Sequence, residues 1–234
     1  MNLYILVEGE KTEMAFYPKW IEELLPNITR ANHLNEVTEN KYYLISGYGI
    51  PSINKHTINA IQEINNNPIF DYLIVIVDGE EIGTERRRQK LSAYVAESGA
   101  FLSNKCQLKI IVQNVCIESW FLGNRKIFKR TPETQTLKEY IQHYNVFEED
   151  PELMEKINEN FPNKANFHIA YLKAIFKEHK MTYSKANPKP VIDSTYIQQM
   201  QKRISETHHL NSYKDLFVLF EQIRTTMLQQ ENNL

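Results

Sequence analysis

Short apolar segments alternate with helical segments in the first half of the chain. Residues 3–7, 42–46, 72–77 and 108–112 are largely apolar without strict alternation, which is typical of strands buried on both faces. The first helix is predicted over residues 12–25, with a kink or a late start at Pro18. Pro51 and Ser52 open the second helix, which ends at residues 65–68. A charged helix over residues 81–98 precedes the fourth strand.

The pattern changes near Thr131, after which strand signals are missing from the sequence. Amphipathic segments predict helices, and the polar tail over residues 229–234 is expected to fray. The helical segments are residues 133–144, 149–160, 167–178, 194–207 and 213–229. The order of strands and helices predicts an α/β fold, with a parallel sheet flanked by helices and an α-helical C-terminal region. We expect a sheet domain over residues 1–125 and a helical region packed on it over residues 126–234.

Composition supports a folded protein without a strongly basic surface. Of the 234 residues, 42% are hydrophobic and 11% aromatic, and the net charge is -2, so disorder and a basic nucleic-acid-binding tail are excluded. Cys106 and Cys116 are too few for a disulfide scaffold. The N-terminus lacks a basic leader, and the longest apolar run, residues 72–77, is too short to span a bilayer. We therefore expect a cytoplasmic protein with no membrane partner.

Acidic residues follow three of the predicted strands. Glu8 and Glu10 follow the first strand, Asp78 and Glu80 the third, and Glu118 the fourth. The carboxyl ends of parallel strands meet at one edge of a sheet, where ligands gather. Carboxylates at one edge repel each other unless they share a divalent cation, and ligation by oxygen alone favours Mg²⁺ or Mn²⁺ over Zn²⁺.

A structural explanation for these acids stays open beside the metal site. Loops are solvated and acids stabilise helix N-termini, so each acid taken alone is explained without a ligand. The recurrence of the pattern favours a metal. Gly9 and Gly79 each stand between two acids, where a residue without a side chain permits a tight turn and the close approach of a ligand.

Three motifs resemble those of the TOPRIM fold, the metal-binding domain of topoisomerases, primases and OLD-type nucleases. Residues 6–13 (LVEGEKTE) resemble its opening motif, and Asp78-Gly79-Glu80 is similar to its Asp-x-Asp motif, with Glu80 in place of the last Asp. Residues 116–122 (CIESWFL) resemble a motif of small bacterial TOPRIM proteins of the RloB type. These proteins, like the related effector AriB, are associated with anti-phage defence. Tyr183-Ser184-Lys185 matches a Tyr-x-Lys element in their helical region.

The resemblance implies a Rossmannoid sheet and metal-assisted cleavage of phosphodiester bonds. Glu8, Asp78, Glu80 and Glu118 would then be the metal ligands, for one or two Mg²⁺ or Mn²⁺ ions. Lys185 would neutralise charge that develops in the transition state.

The resemblance also implies two further roles in the first motif. Glu10 would act as a general base or an outer ligand. Lys11, at a helix N-terminus, would contact phosphate.

Basic residues offer two surfaces for nucleic acid. Arg86, Arg87 and Arg88 follow the second acidic motif, although a solvated helix face explains them equally well. Tyr183 lies among Lys180, Lys185 and Lys189, a basic and aromatic patch that would suit exposed bases.

Other site types find little support. The histidines lack zinc-site spacing and are expected at the surface or in the core. Gly47-Tyr48-Gly49 lacks the Lys-Ser/Thr partner of a phosphate-binding loop.

We therefore expect an Mg/Mn-dependent TOPRIM-type nuclease, acting on DNA or RNA as an anti-phage defence effector. A partner ATPase would regulate it, and a homodimer is an ordinary expectation. One alternative is a phosphohydrolase of small phosphoesters. The other is a non-catalytic, receiver-like domain that binds Mg²⁺, although about 100 further residues on helices exceed what a receiver needs.

Overall fold

A computed structural model describes residues 1–103 and 105–231. Within these ranges the chain forms five strands and eight α-helices. The strands are β1 (Asn2–Val7), β2 (Thr29–Ala31), β3 (Lys41–Ser46), β4 (Tyr72–Asp78) and β5 (Gln107–Gln113). The helices are α1 (Thr12–Leu24), α2 (Ser52–Asn66), α3 (Thr84–Glu97), α4 (Ile117–Phe121), α5 (Gln135–His143), α6 (Lys164–Glu178), α7 (Ser194–Glu206) and α8 (Asn211–Glu231). Short 3₁₀ helices span Leu34–Glu36, Arg125–Ile127, Pro151–Leu153 and Lys189–Val191.

The strands form one all-parallel sheet in the order β2-β3-β1-β4-β5. The register places Val7 of β1 beside Ser46 of β3 and Ile76 of β4. The chain therefore adds strands on one side of β1 and then on the other, so the sheet has a topological switch point between β1 and β4. The predicted α/β fold with a parallel sheet flanked by helices is confirmed.

Two compact units divide the chain. The first contains residues 1–77, 85–112 and 215–234, and the second contains residues 78–84 and 113–214. Because neither unit is one continuous segment, the expected division into residues 1–125 and 126–234 stays a prediction.

The first unit buries both faces of its central strands β1 and β4. Every second strand residue points to one face of the sheet and packs there with α2 and α3. This core includes Tyr4, Leu6, Ile61, Val75 and Leu91. The neighbouring strand residues point to the opposite face. Trp20 of α1 and Phe220 of α8 pack edge to face, with their ring centroids 5.4 Å apart. Burial on both sides explains why the strands are continuous apolar runs.

The second unit contains a buried polar network around Ser212. The Ser212 hydroxyl donates to Oε1 of Glu152 and accepts from the Asn114 backbone N–H (2.9 Å) and from the Trp120 indole N–H (2.8 Å). Because Glu152 is buried, the pKa of its carboxyl is raised to about 7. The network joins residues about 100 positions apart in sequence.

Several predicted boundaries need correction. Helix α1 begins at Thr12 and contains Pro18, so a late start is wrong. Strand β2 was not predicted. The helix expected over residues 149–160 is only a 3₁₀ turn over Pro151–Leu153. Helix α8 continues through Glu231, so the expected fraying does not begin at residue 229, and residues 232–234 lie outside the described part.

Candidate functional site

The first acidic motif lies in the turn between β1 and α1, in the first unit. The Glu8 backbone N–H donates to the Ile76 carbonyl oxygen of β4 (3.0 Å), and the Glu8 residue is only 9% exposed. Glu10 and Lys11 are exposed, and Lys11 directly precedes α1 as predicted. The turn therefore separates one nearly buried acid from two exposed charged side chains.

Glu13 is a second buried acid in this motif, and the sequence analysis did not select it as a site residue. It lies in the first turn of α1, and a Cβ added at Gly9 would stand 1.6 Å from its Oε2 atom. Gly9 is therefore needed for the close approach of the Glu13 carboxylate. The available signal was helical spacing, since Glu13 precedes Tyr17 and Trp20 on the buried face of α1.

Backbone hydrogen bonds join the second and third acidic motifs beyond the sheet, within the second unit. The Gly79 N–H donates to the Gln113 carbonyl oxygen, and the Glu80 N–H donates to the Val115 carbonyl oxygen. The donor–acceptor distance is 2.8 Å in both hydrogen bonds. Asp78 is the last residue of β4, and Glu118 is the second residue of α4. The turn after Asp78 thus runs alongside the segment that leads to Glu118.

Glu118 is a fully buried carboxylate. Its Oε1 atom accepts a hydrogen bond from the Tyr183 hydroxyl (2.9 Å). Its Oε2 atom accepts no hydrogen bond from the described residues. Burying a carboxylate with an unsatisfied oxygen is unfavourable, so this position favours a further donor or a cation.

The buried thiol of Cys116 is influenced by the negative charges of Asp78 and Glu118. Its pKa is raised well above the ordinary value, first by burial and then by the negative charges of Glu118 and Asp78. Because both charges act on one buried thiol, Asp78 and Glu118 contribute to the same region of negative potential. Such a region favours a positive ligand.

Glu80 and Lys185 are exposed residues of the second unit. Glu80 has a φ of 46°, a left-handed conformation, which the turn after β4 imposes. Lys185 lies in a turn in which the Asn187 N–H donates to the Ser184 carbonyl oxygen (2.9 Å). The turn follows Tyr183, whose hydroxyl binds Glu118.

Tyr183 is only 2% exposed. The expectation that it stacks on bases as part of a basic and aromatic patch is therefore wrong, because its ring lies in the core. Its position beside Glu118 was not predicted.

The three arginines of α3 differ in their surroundings. Arg88 lies 3.4 Å from a Glu85 carboxylate oxygen and 3.8 Å from one of Asp215. Arg86 is exposed, whereas Arg87 and Arg88 are half-buried. Arg86 is thus the most accessible of the three to a phosphate.

Ser119 and His168 form a fully buried pair in the second unit. The Ser119 Oγ and His168 Nδ1 atoms are 2.8 Å apart, and His168 Nε2 lies 2.8 Å from the Met154 carbonyl oxygen. Burial lowers the pKa of His168 to about 4, so the ring is neutral and its Nε2–H donates to Met154. With both side chains inaccessible, the pair fixes α4 to α6 rather than attacking a substrate. The expectation that the histidines lie at the surface or in the core is correct for His168.

The predicted catalytic and metal-binding residues divide between the two units. Glu8 and Glu10 belong to the first unit, and Asp78, Glu80, Glu118 and Lys185 belong to the second. Among the described residues, no three His, Cys, Asp or Glu side chains are grouped so as to hold a metal ion. The second unit does bring the ends of β4 and β5 together.

Comparisons with known proteins add no further support for a particular activity. No family model, curated protein or solved structure matches the chain. None of the helices in residues 1–103 and 105–231 has both the length and the apolar character needed to cross a membrane.

Proposed function

We propose that the chain is a metal-dependent nuclease of the TOPRIM type that acts in anti-phage defence. The observation that carries the proposal is Glu118, a fully buried carboxylate with one oxygen bonded to Tyr183 and the other without a hydrogen bond from the described residues. Asp78, at the end of the neighbouring strand, adds negative potential to the same region. Oxygen donors at the carboxyl ends of parallel strands suit Mg²⁺ or Mn²⁺.

Asp78 and Glu118 are the ligands with the most support, because both belong to the second unit and both raise the pKa of the Cys116 thiol. Glu8 and Glu80 stay predicted ligands, from their places after β1 and β4. A bound Mg²⁺ or Mn²⁺ ion would neutralise phosphate charge and acidify a water molecule. The Tyr183 hydroxyl holds one Glu118 oxygen (2.9 Å) and so fixes the direction of the other.

The remaining predicted residues handle charge and protons. Lys185 would offset negative charge on the phosphate in the transition state. Glu10, which is exposed, would accept a proton from the attacking water as a general base. Lys11 before α1 and the exposed Arg86 of α3 would bind phosphates without reading sequence.

Regulation by a partner ATPase is part of the proposal. The sequence has no phosphate-binding loop of its own, since Gly47-Tyr48-Gly49 lacks the required Lys-Ser/Thr pair. An effector of this kind would depend on a second protein for nucleotide-driven control. Cleavage assays therefore need an arm with a candidate partner.

The first test is a cleavage assay with plasmid, linear duplex, single-stranded DNA and bulk tRNA in Mg²⁺ or Mn²⁺. Wild type is compared with Asp78→Asn and Glu118→Gln. Each variant removes one carboxylate charge, so we expect cleavage to fall at least about 100-fold, the size of effect typical for an electrostatic group in an active site. Glu159→Gln removes a charge from an exposed side chain of the same unit and serves as the matched control.

The alternatives give different results in the same assay. A phosphohydrolase would release phosphate from small phosphoesters while leaving all polymers intact. A regulatory, receiver-like domain would bind Mg²⁺ in calorimetry but would show no catalytic turnover, so Asp78→Asn would have no activity to abolish. If wild type neither binds Mg²⁺ or Mn²⁺ nor cuts any substrate with a partner present, the metal site is wrong.

A further inference from the structure

A groove opens in the first unit beside the carboxyl end of β3. Its volume is about 460 Å³, within the range of small-ligand sites, which is about 300–1,000 Å³. Its walls combine apolar side chains from α1 and β3 with polar side chains from the turn before α1, from the end of β3 and from α2. The lining residues include Glu10, Met14, Ile45, Ser46, Tyr48 and His56.

The loop that carries Tyr48 is fixed on both sides. The Gly47 N–H donates to the Val7 carbonyl oxygen (2.7 Å), and the Gly49 N–H donates to the Glu8 carbonyl oxygen (2.9 Å). The Gly49 carbonyl oxygen in turn accepts from the Ile53 N–H (2.9 Å). The loop is therefore held by the end of β1 and by the start of α2.

Tyr48 is held in an unfavourable conformation with its ring outside the core. Its φ is 58°, and its N–H donates to the Ser46 hydroxyl (3.1 Å). The residue is 62% exposed, and its ring centroid lies 5.6 Å from that of His56. A left-handed backbone at a non-glycine residue costs about 1–2 kcal/mol. A fixed loop that holds an aromatic ring in solvent at this cost points to a binding role.

We propose that Tyr48 stacks on an unpaired base of a single-stranded nucleic acid, with Glu10 accepting a hydrogen bond from the edge of that base. This inference rests on the proposed nuclease function and names the form of its substrate. The loop is bonded to the backbone of Glu8, a predicted metal ligand of the same unit. Stacking on an aromatic side chain is available to every base once it is unpaired.

The charge in the groove selects which part of a nucleotide enters it. In this inference Glu10 binds the base instead of acting as the general base proposed above, because its carboxylate repels a phosphate and accepts hydrogen bonds from the amino groups of cytosine or adenine. Thymine and uracil offer carbonyl oxygens at the corresponding position, so they would fit less well. The phosphates would remain outside the groove, where Lys11 and Lys55 are exposed.

The test is oligonucleotide binding by fluorescence anisotropy in a chelator, so that cleavage does not interfere. Short oligo-C and oligo-T strands of DNA, their RNA counterparts and a duplex are titrated with wild type, Tyr48→Ala and Tyr48→Phe. Tyr48→Ala is expected to weaken single-strand binding about 5- to 100-fold. Tyr48→Phe keeps the ring and is expected to bind within about twofold of wild type. Tyr94→Ala removes an exposed tyrosine of α3 that does not line the groove and serves as control.

The outcomes separate this inference from the nuclease proposal. Equal binding by wild type and Tyr48→Ala, an equal loss in Tyr48→Phe, or no binding of any single strand by wild type overturns the stacking role. Absence of cleavage in Mg²⁺ and Mn²⁺ with a partner present, together with binding that still depends on Tyr48, overturns the nuclease and supports the stacking site. Tighter binding of oligo-C than of oligo-T, with the difference lost in Glu10→Gln, supports the contact to the base edge.

Discussion

The hydrogen bond from Tyr183 to Glu118 makes the buried charge at the candidate site measurable. Tyr183→Phe removes only the hydroxyl, which donates a hydrogen bond of 2.9 Å to Glu118 Oε1. A hydrogen bond to a charged group contributes about 1.5–3 kcal/mol, against about 0.5–1.5 kcal/mol for a neutral pair. We therefore expect Tyr183→Phe to lower the free energy of unfolding by about 1.5–3 kcal/mol, or the melting temperature by about 2–4 °C for each kcal/mol.

A matched variant separates the charge from the general cost of losing a buried hydroxyl. Tyr196 is also buried, and its hydroxyl donates to a neutral acceptor, the Phe121 carbonyl oxygen (2.7 Å). Tyr196→Phe is expected to cost only about 0.5–1.5 kcal/mol. In a Glu118→Gln background the acceptor is neutral, so the cost of Tyr183→Phe should fall to the same range.

The assay is urea unfolding of the full chain in a chelator, with the slope of the transition monitored in every variant. Removing metal ions keeps a bound cation from masking the buried charge. The reasoning is refuted if Tyr183→Phe costs no more than Tyr196→Phe. It is also refuted if its cost is unchanged in the Glu118→Gln background.

Three other changes test individual buried contacts by unfolding measurements. Arg203 is 1% exposed and donates to three backbone carbonyl oxygens, so Arg203→Met should cost more than about 3 kcal/mol; a loss below 1 kcal/mol would contradict this. Glu152 has a pKa of about 7 and so keeps its proton in the folded state only below about that pH; the stability that this proton provides, up to about 3 kcal/mol, is present at low pH and is lost as pH rises from about 4.5 to 7. Glu152→Gln should flatten that dependence, and an unchanged pH profile would contradict the assignment. Gly9→Ala places a Cβ against the Glu13 carboxylate and should cost about 1–3 kcal/mol, a loss that Gly9→Ala/Glu13→Ala should partly restore.

The fold was predictable because buried parallel strands have a simple sequence signal. Apolar runs appear where β1, β3, β4 and β5 lie, and Asn65–Pro68 marks the end of α2 near Asn66. Strand β2 has no such run, because it is a three-residue edge strand that pairs only with β3. Its existence depends on backbone hydrogen bonds, which carry little sequence signal.

The error over residues 149–160 arises from tertiary hydrogen bonds. Asp150 accepts from the backbone N–H groups of Glu152 and Leu210 (both 3.1 Å). Glu152 turns inward to the Trp120 indole (3.0 Å). The polar residues that suggested a solvated helix face therefore satisfy buried donors.

The sequence predicted only those residues of the candidate site whose positions are determined by the ends of strands. Asp78 and Glu118 follow strands that are neighbours in the sheet, so their turns meet for reasons of topology. The contact between Tyr183 and Glu118 joins residues 65 positions apart. No local pattern indicates it, because the loop that carries Tyr183 is positioned by packing.

The network around Ser212 has a consequence for the order in which the protein is made. Ser212 supplies the hydroxyl shared by Asn114, Trp120 and Glu152. A nascent chain that ends before Ser212 deprives these three buried groups of that partner, so the second unit completes its core only after Ser212 has left the ribosome. The buried Glu118 carboxylate belongs to this unit and is assembled late for the same reason. The proposed nuclease would therefore stay inactive in every copy that lacks Ser212.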